Sequence, residues 1–429
     1  MVPLTKSLFA SRSSLISAEF LENVLAEYPR RDFQVRFWDG TTWGAEKQPG
    51  FTLVLKHPEA LPSMCLSPSE LSLGESYIYG DFDIEGDLEA AFDLADYLLG
   101  QERSLWERFD LAERLRELPP NHYPRPNPKL GGSLDSRDRD RRAISYHYDL
   151  PAEFYALWLD QHMVHSCAYF NTPLEELDAA QQHKLDSICR QLRLCPGEHL
   201  LDIGCGWGAL LMHAAVNYGV QAVGITRSVP QAEVARQRLR EAGLNDRCRV
   251  EVSDYHDIDQ DQQYDKIVSV GVLENIGEAL LPVYFRQVWA LLRPGAVFLN
   301  QVIASSANYP RSGPSCIDRY MFRNAEPTLI STNLRAAELA DFEVRDVEGL
   351  REHYAATLHH WIHRLEARAE EARRITDDIT YRIWRLCMAG CAHAFRSGRL
   401  NAYETVLAKP LRADSGLLLT GKSSTALHL

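Results

Sequence analysis

The run Leu200-Leu201-Asp202-Ile203-Gly204-Cys205-Gly206-Trp207-Gly208 is the segment of this chain best suited to holding a ligand. An apolar stretch of strand length runs into a Gly-x-Gly-x-Gly turn, and a helical pattern follows. Glycine permits tight backbone geometry and close approach of a ligand. In open parallel sheets such a turn lies at the carboxyl end of a strand, where ligands bind. A dinucleotide would call for Gly-x-Gly-x-x-Gly, with its pyrophosphate on the helix N-terminus. The shorter spacing, with Asp202 just before the turn, suits a ligand that lacks phosphate and carries positive charge. S-adenosylmethionine has that character: a sulfonium, an ammonium and a carboxylate. Its expected contacts are Asp202, Gly204, Gly206 and Gly208. The next strand ends at Val223-Gly224-Ile225-Thr226. Here Thr226 and the downstream Gln231 replace the acidic residue that often meets ribose hydroxyls. After the third strand, Asp254 and Tyr255 are placed to edge the adenine.

These residues need a sheet to hold them. From Ala143 onward the pattern alternates strand and helix. Leu200–Ile203, Gln221–Ile225, Arg249–Val252, Lys266–Val272 and Ala296–Ile303 read as short, largely apolar strands. Val229–Ala242 and Pro282–Leu292 read as helices between them. That order predicts an α/β fold with a parallel sheet covered on both faces. Phe342–Val347 and Tyr403–Ala408 are further strand candidates, flanking a long helical pair over about 352–396.

Upstream, residues 1–118 read as a small mixed α+β domain. Phe33-Gln34-Val35-Arg36-Phe37-Trp38 alternates apolar and polar residues and meets a turn signal at Asp39-Gly40. Phe51–Leu55 is a second strand candidate, and Leu88–Leu99 and Ser104–Leu118 carry helical spacing. Residues 119–142, rich in proline and in alternating charge, read as a linker. Residues 143–410 form the second domain, and 411–429 a frayed tail.

Composition narrows the partners. A formal net charge of −13 over 429 residues argues against a nucleic-acid backbone. It gives no general attraction to anionic lipid, so membrane contact would be local and transient; the linker's basic residues could touch headgroups, though composition alone favours a solvated tether. The nine cysteines are scattered, with no metal-ligand spacing. Cys387 and Cys391, one helical turn apart, read as helix packing. No apolar run reaches the length of a membrane-spanning helix, and the start lacks a secretory pattern. The expectation is a cytoplasmic protein, peripheral to the inner face of the membrane.

Beyond the glycine turn, the sequence resembles the cyclopropane fatty acid synthase family, which includes the mycolic acid cyclopropane synthases. The matching blocks are His147-Tyr148-Asp149-Leu150, Ser166-Cys167-Ala168-Tyr169-Phe170, the glycine turn, Val223-Gly224-Ile225-Thr226, Val268-Ser269-Val270-Gly271 leading to Glu274, and His353-Tyr354-Ala355-Ala356-Thr357-Leu358. They extend over residues 147–361 in the family's order. Leu73-Gly74-Glu75-Ser76-Tyr77 resembles the extra domain of the bacterial phospholipid-acting branch. The resemblance implies a class I methyltransferase-like, doubly wound, mostly parallel seven-stranded sheet with helical additions. It adds His165 and Ser166 to the cofactor site.

The resemblance also implies a reaction. The alkene of an unsaturated phospholipid acyl chain attacks the sulfonium methyl, a carbocation forms, and proton loss closes a three-membered ring. A bound bicarbonate is implicated as the base, and its site maps onto Cys167, Glu274, Gln301, Ile303 and Tyr354. An alkene needs no deprotonation, so catalysis rests on orientation and on stabilising positive charge. Tyr169, Phe170 and Tyr354 supply aromatic faces and Glu274 a charge. Cys167 is read as a backbone contact, not a nucleophile. Three positions depart from the family. Gln301 and Asn275 stand where it usually has His, and His165 where it usually has Tyr. Gln301 offers hydrogen bonds but no positive charge. The product is therefore open between a cyclopropane and a methylene or methyl branch; a related carbon-methyltransferase acting on another alkene, such as an isoprenoid, and a non-catalytic lipid- or cofactor-binding relative are the other rivals. A homodimer is left open.

Overall fold

The structure, a computed structural model, describes residues 11–30, 32–45, 49–66, 68–101, 105–120, 150–259, 261–309, 316–321 and 326–411. Most of the expected linker, the His147-Tyr148-Asp149 part of the first matching block and nearly all of the expected tail lie outside the described residues. Two compact units are present.

The first unit comprises Met1–Leu134, Arg311–Arg323 and Leu365–His393. Its sheet has four strands, β1 (Phe33–Arg36), β2 (Thr42–Gly44), β3 (Phe51–Leu55) and β4 (Phe82–Gly86), in the order β2-β1-β3-β4. The alternation seen in sequence places Phe33 and Val35 of β1 inward, both buried. The helices Leu88–Gly100 and Leu105–Arg116 match their sequence patterns. The composition of this unit differs from the boundaries expected from sequence, which place 311–323 and 365–393 in the second domain. The physical reason lies in two buried arginines of the helix Asp378–Arg396. Arg382 donates from Nε to the Tyr77 carbonyl at 2.8 Å and from Nη2 to the Phe82 carbonyl at 2.8 Å. Arg385 donates from Nη1 to the Tyr77 hydroxyl at 2.8 Å. Buried guanidiniums need such acceptors, so this helix folds with residues three hundred positions upstream. The expected long helical pair is also broken into three helices, Arg351–Ala367, Ala369–Ile375 and Asp378–Arg396.

The second unit comprises Asp135–Pro310, Asn324–Arg364 and Ala394–Leu429. It holds a seven-stranded sheet: β5 (His199–Ile203), β6 (Gln221–Thr226), β7 (Cys248–Val252), β8 (Tyr264–Val270), β9 (Leu292–Ser305), β10 (Glu343–Gly349) and β11 (Leu400–Ala408), in the order β10-β11-β9-β8-β5-β6-β7. The strands from β9 to β7 are parallel, while β11 runs antiparallel to both of its neighbours. Successive strand residues face opposite layers. Leu200, Val268 and Leu299 pack with the helices Leu177–Gln191, Ala209–Tyr218 and Val229–Glu241. Leu201, Ile267 and Phe298 pack with Leu281–Leu291 and Ile330–Glu338. Near-continuous apolar strands are what a sheet covered on both faces requires, and the expected α/β architecture is present. Among the described residues no helix is long and apolar enough to cross a membrane.

Candidate active site

β5 carries Asp202 to the end of the sheet, and the glycine turn follows it. Gly204 has φ +88°, and a Cβ there would lie 2.4 Å from Val272 Cγ2. Gly206 has φ +53°, and a Cβ there would meet no atom within 4 Å. The first glycine thus serves the protein's own packing, whereas the second keeps space open for a ligand. Gly208, at φ +82°, caps the helix Ala209–Tyr218. The cleft beyond the turn is lined by His165, Ser166, Asp202, Gly204, Gly206, Thr226, Gln231 and Tyr255, among others. Thr226 Oγ1 donates to Gln231 Oε1 at 2.9 Å, so these two are held as a pair. Gly208 and Asp254 are expected contacts that do not line the cleft. Gly208 acts as the helix cap. The Asp254 carboxylate is taken by Arg227 at 3.3 Å and His256 Nδ1 at 2.7 Å. Arg227 does line the cleft.

The opposite wall is the loop over 160–166. Asp160 is buried and shapes it, its carboxylate accepting from the Val164 amide at 2.7 Å and the His162 amide at 2.8 Å. Arg238 Nη1 ties that loop to the glycine turn, donating to the His162 carbonyl at 2.9 Å and the Trp207 carbonyl at 3.1 Å. His165 sits among the rings of Trp158, Trp361, Tyr155 and Trp207, with centroids 5.2 to 6.4 Å away. Burial lowers its pKa to about 4, so the ring is neutral near pH 7. Lys184, from the helix Leu177–Gln191, is buried and donates from Nζ to Ser166 Oγ at 2.8 Å. Burial lowers its pKa, opposed by Cys167, Asp160, Glu404 and Asp202. Burial raises Asp202 to about 7 despite Lys184. A buried carboxyl in that condition is stabilised as an anion by an arriving cation. Neither Lys184 nor Asp160 stands out in sequence, since a lone Lys or Asp carries no pattern.

The residues expected to act on the acyl chain do not line this cleft. Glu274 lies directly behind it, in the 3-10 turn Leu273–Asn275. Its Oε1 would be 3.7 Å from a Cβ on Gly271, and Gly271, Val272 and Asn275 line the cleft. Glu274 is 7% exposed, burial raises its pKa to about 7, and its Oε2 has no hydrogen-bond partner among the described residues. Gln301 sits on β9 opposite Val270, and its carbonyl accepts from the Gly271 amide at 3.0 Å. Its side chain turns elsewhere: Nε2 donates to Glu404 Oε2 at 3.0 Å. Ile303 follows two residues along, on the same face of β9. The Cys167 thiol is fully buried, donates to the Ala168 carbonyl at 3.3 Å, and has its pKa raised by burial. A thiol so suppressed is no nucleophile. Tyr354 stacks on Phe395 at 4.6 Å, Tyr169 on His353 at 4.8 Å and Phe170 on His360 at 5.5 Å. One face of each of these rings is therefore already covered.

The family model described as mycolic acid cyclopropane synthetase matches residues 135–405. The chain belongs to that family. A second model, for a domain of unknown function, matches residues 20–99. A probable fatty acid methyltransferase of Pseudomonas putida is 39% identical over 381 residues, covering 88% of this chain and 92% of the relative. The cyclopropane-fatty-acyl-phospholipid synthase of Escherichia coli K12 is 31% identical over 359 residues, covering 83% and 87%. Among solved structures, the mycolic acid cyclopropane synthase CmaA1 complexed with SAH and CTAB matches with a TM-score of 0.59. It is 30% identical, over 62% of this chain and 97% of that one. As a mycolic acid cyclopropane synthetase family member, the chain is an S-adenosylmethionine-dependent methyltransferase of class I fold. The cleft of Asp202 and the glycine turn fits that cofactor, since it joins an acidic floor to an unobstructed Gly206.

Proposed function

We propose that the protein transfers a one-carbon unit from S-adenosylmethionine to a carbon–carbon double bond in an unsaturated phospholipid acyl chain. The observation that carries this reading is Glu274: a buried carboxyl behind the cleft wall, with one oxygen unpartnered. A nitrogen or oxygen acceptor would need a base to strip its proton, whereas an alkene needs stabilisation of the cation that forms on it. A carboxylate in a dry site suits the second task. The cofactor supplies the electrophilic methyl. Asp202 holds positive charge at the glycine turn, Thr226 and Gln231 offer polar contacts, and Tyr255 offers a ring. Lys184 fixes Ser166 at the opposite wall. The fit to bicarbonate rests on the same Glu274 oxygen, which can accept from a hydroxyl. A bicarbonate held there would supply the base that removes the product proton. Cys167, Ile303 and Tyr354 complete the proposed site.

The product has two readings. A cyclopropane follows the resemblance and the name of the E. coli relative. A methylene or methyl branch is favoured by one contact, the Gln301 amide committed to Glu404. The name of the P. putida relative points the same way. Lipids from cells making the protein separate these readings. Cyclopropane and methylene products both gain the mass of one CH2, and of these two only the cyclopropane loses double-bond reactivity; a saturated methyl branch carries two further hydrogens, supplied by a separate reductant, and differs in mass. Gln301→His should raise the cyclopropane share or lower the bicarbonate needed for half-maximal rate. Unchanged rate, bicarbonate response and product ratio would remove Gln301 from the reaction. No modified lipid from a chain that binds cofactor would sink the reading itself. We place the enzyme at the cytoplasmic membrane surface, where such acyl chains lie. Sedimentation with phospholipid vesicles tests that placement.

A further inference from the structure

β11 contributes a buried acid that enters the proposed function only as the partner of the Gln301 amide. Glu404 is 3% exposed and directly opposes Gln301 across the antiparallel pair β9–β11. Cross-strand partners share a face, here the face that also carries Asp202 and packs on the helix Leu177–Gln191. Each carboxyl oxygen meets one amide. Gln191 Nε2 donates to Oε1 at 2.5 Å, and Gln301 Nε2 donates to Oε2 at 3.0 Å. An ionised carboxylate only accepts, so any amide against it must present nitrogen.

We infer that Glu404 is a positioning residue for the reaction, holding Gln301 with its amide nitrogen toward β11 and its carbonyl oxygen turned away. Gln301 then offers an acceptor on its other side. An acceptor favours a hydroxyl or a developing positive centre and disfavours a bare anion. The inference deepens the proposed function, on which its product arm rests. It makes the fate of the cation depend on a residue that touches neither cofactor nor cleft.

The hold is conditional on protonation. Burial raises Glu404 to about 7, with Glu348 pushing the same way and Gln191, Gln301 and Lys184 opposing. Those groups, with Cys167 and Tyr169, are the titratable and polar neighbours it feels. Below that pH one oxygen becomes a donor, and one amide must turn to present its carbonyl. The contact to Gln301 is the longer of the two, so Gln301 is the amide that turns.

The test uses the full chain with nitrogen-15-labelled glutamine side chains, the Gln301 signal being assigned by its loss in Gln301→Leu. That signal should titrate with a midpoint near 7 and become insensitive to pH in Glu404→Gln. The same isosteric variant should keep cofactor affinity within about twofold, yet shift the product ratio by roughly threefold or more and abolish its pH dependence. The exchanged pair Gln301→Glu with Glu404→Gln retains one buried carboxyl on the same two strands. If Glu404 merely balances charge or packing, the exchanged protein behaves like the parent, and the inference falls. A Gln301 signal flat from about pH 6 to about pH 8 overturns it as well. A titrating signal in a protein that modifies no lipid would refute the proposed function and leave only the hold of Glu404 on Gln301 standing.

Discussion

The two ends of the central sheet's working face are built differently. On the β5–β6 side, polar residues sit at the carboxyl ends of parallel strands and in the segments that follow them, and they face an open cleft. On the β9–β11 side, they sit within strands and are sealed by one another. Asp202 and Gln301 are both buried polar residues on one face of the same sheet. The first points its charge toward ligand space, while the second spends its hydrogen bond on Glu404. Parallel strand ends expose side chains to a crevice, whereas an antiparallel pair places two side chains against each other. In the proposed function, binding of the cofactor falls to the first region and handling of the cation to the second, so each can be perturbed alone.

The largest effect should come on the reaction side. Glu274→Gln keeps size and removes charge, so turnover should fall by about a hundredfold or more while cofactor affinity stays within about twofold. Single-turnover rates and calorimetry on one preparation check both numbers. Parallel losses in both would erase the contrast between the two regions.

The reverse dissection follows for the cofactor side. Asp202→Asn should weaken S-adenosylmethionine binding by roughly tenfold to a hundredfold, the worth of a charge-assisted contact. Gly206→Val should also weaken it, by filling space that no protein atom occupies. If calorimetry finds either folded variant binding as tightly as the parent, the cleft has been assigned to the wrong ligand.

A smaller effect is set by pH. Asp202 has a pKa near 7 without ligand, and a cation binds best to its ionised form. Cofactor affinity should therefore rise severalfold from about pH 6 to about pH 7.5, before the cofactor's own ammonium begins to titrate. The dependence should vanish in Asp202→Asn. A parent affinity that is flat with pH would count against Asp202 as the cation's partner.

The smallest effect concerns stability. Glu274 has a folded pKa near 7, above the unfolded value of about 4.3. Folded protein then binds the extra proton, so the group's contribution is full below the unfolded value and lost as the pH rises through about 7. Glu274→Gln lacks this loss, and its Tm relative to the parent should climb by a few degrees between about pH 5 and about pH 8. The difference between variant and parent is the quantity to follow, because His165, His213, His353 and His360, all with lowered pKa, act in the opposite direction in both proteins. A constant difference across that range would mean Glu274 is ionised throughout.

Deleting residues 1–118, which the sequence suggests as a clean removal of an accessory domain, is a poor test of lipid access. It strips Arg382 and Arg385 of their acceptors on Tyr77 and Phe82. The expected outcome is a misfolded chain, visible as loss of cooperative unfolding, and not a selective loss on vesicles.

Much of the molecule was written in local pattern. Apolar runs dictated the strands of the second unit, because a sheet covered on both faces leaves little choice of residue. The Gly-x-Gly-x-Gly spacing located the turn that lines the cleft, because glycine backbone alone leaves that space open. Residues such as Thr226, Gln231 and Tyr255 followed, since each ends or succeeds a strand and must meet the same crevice. What sequence could not carry was pairing at long range. Gln301 and Glu404 are a hundred positions apart, and nothing in either neighbourhood announces the other. Lys184 reaches Ser166, and Arg382 reaches Tyr77, only after helices have docked. The short strands β2 and β4 and the third helix of the 351–396 region likewise depend on neighbours supplied by folding. Hydrogen bonds and burial are properties of that assembled arrangement, so tertiary structure alone decided which buried acid lines the cleft and which is taken up by amides of its own chain.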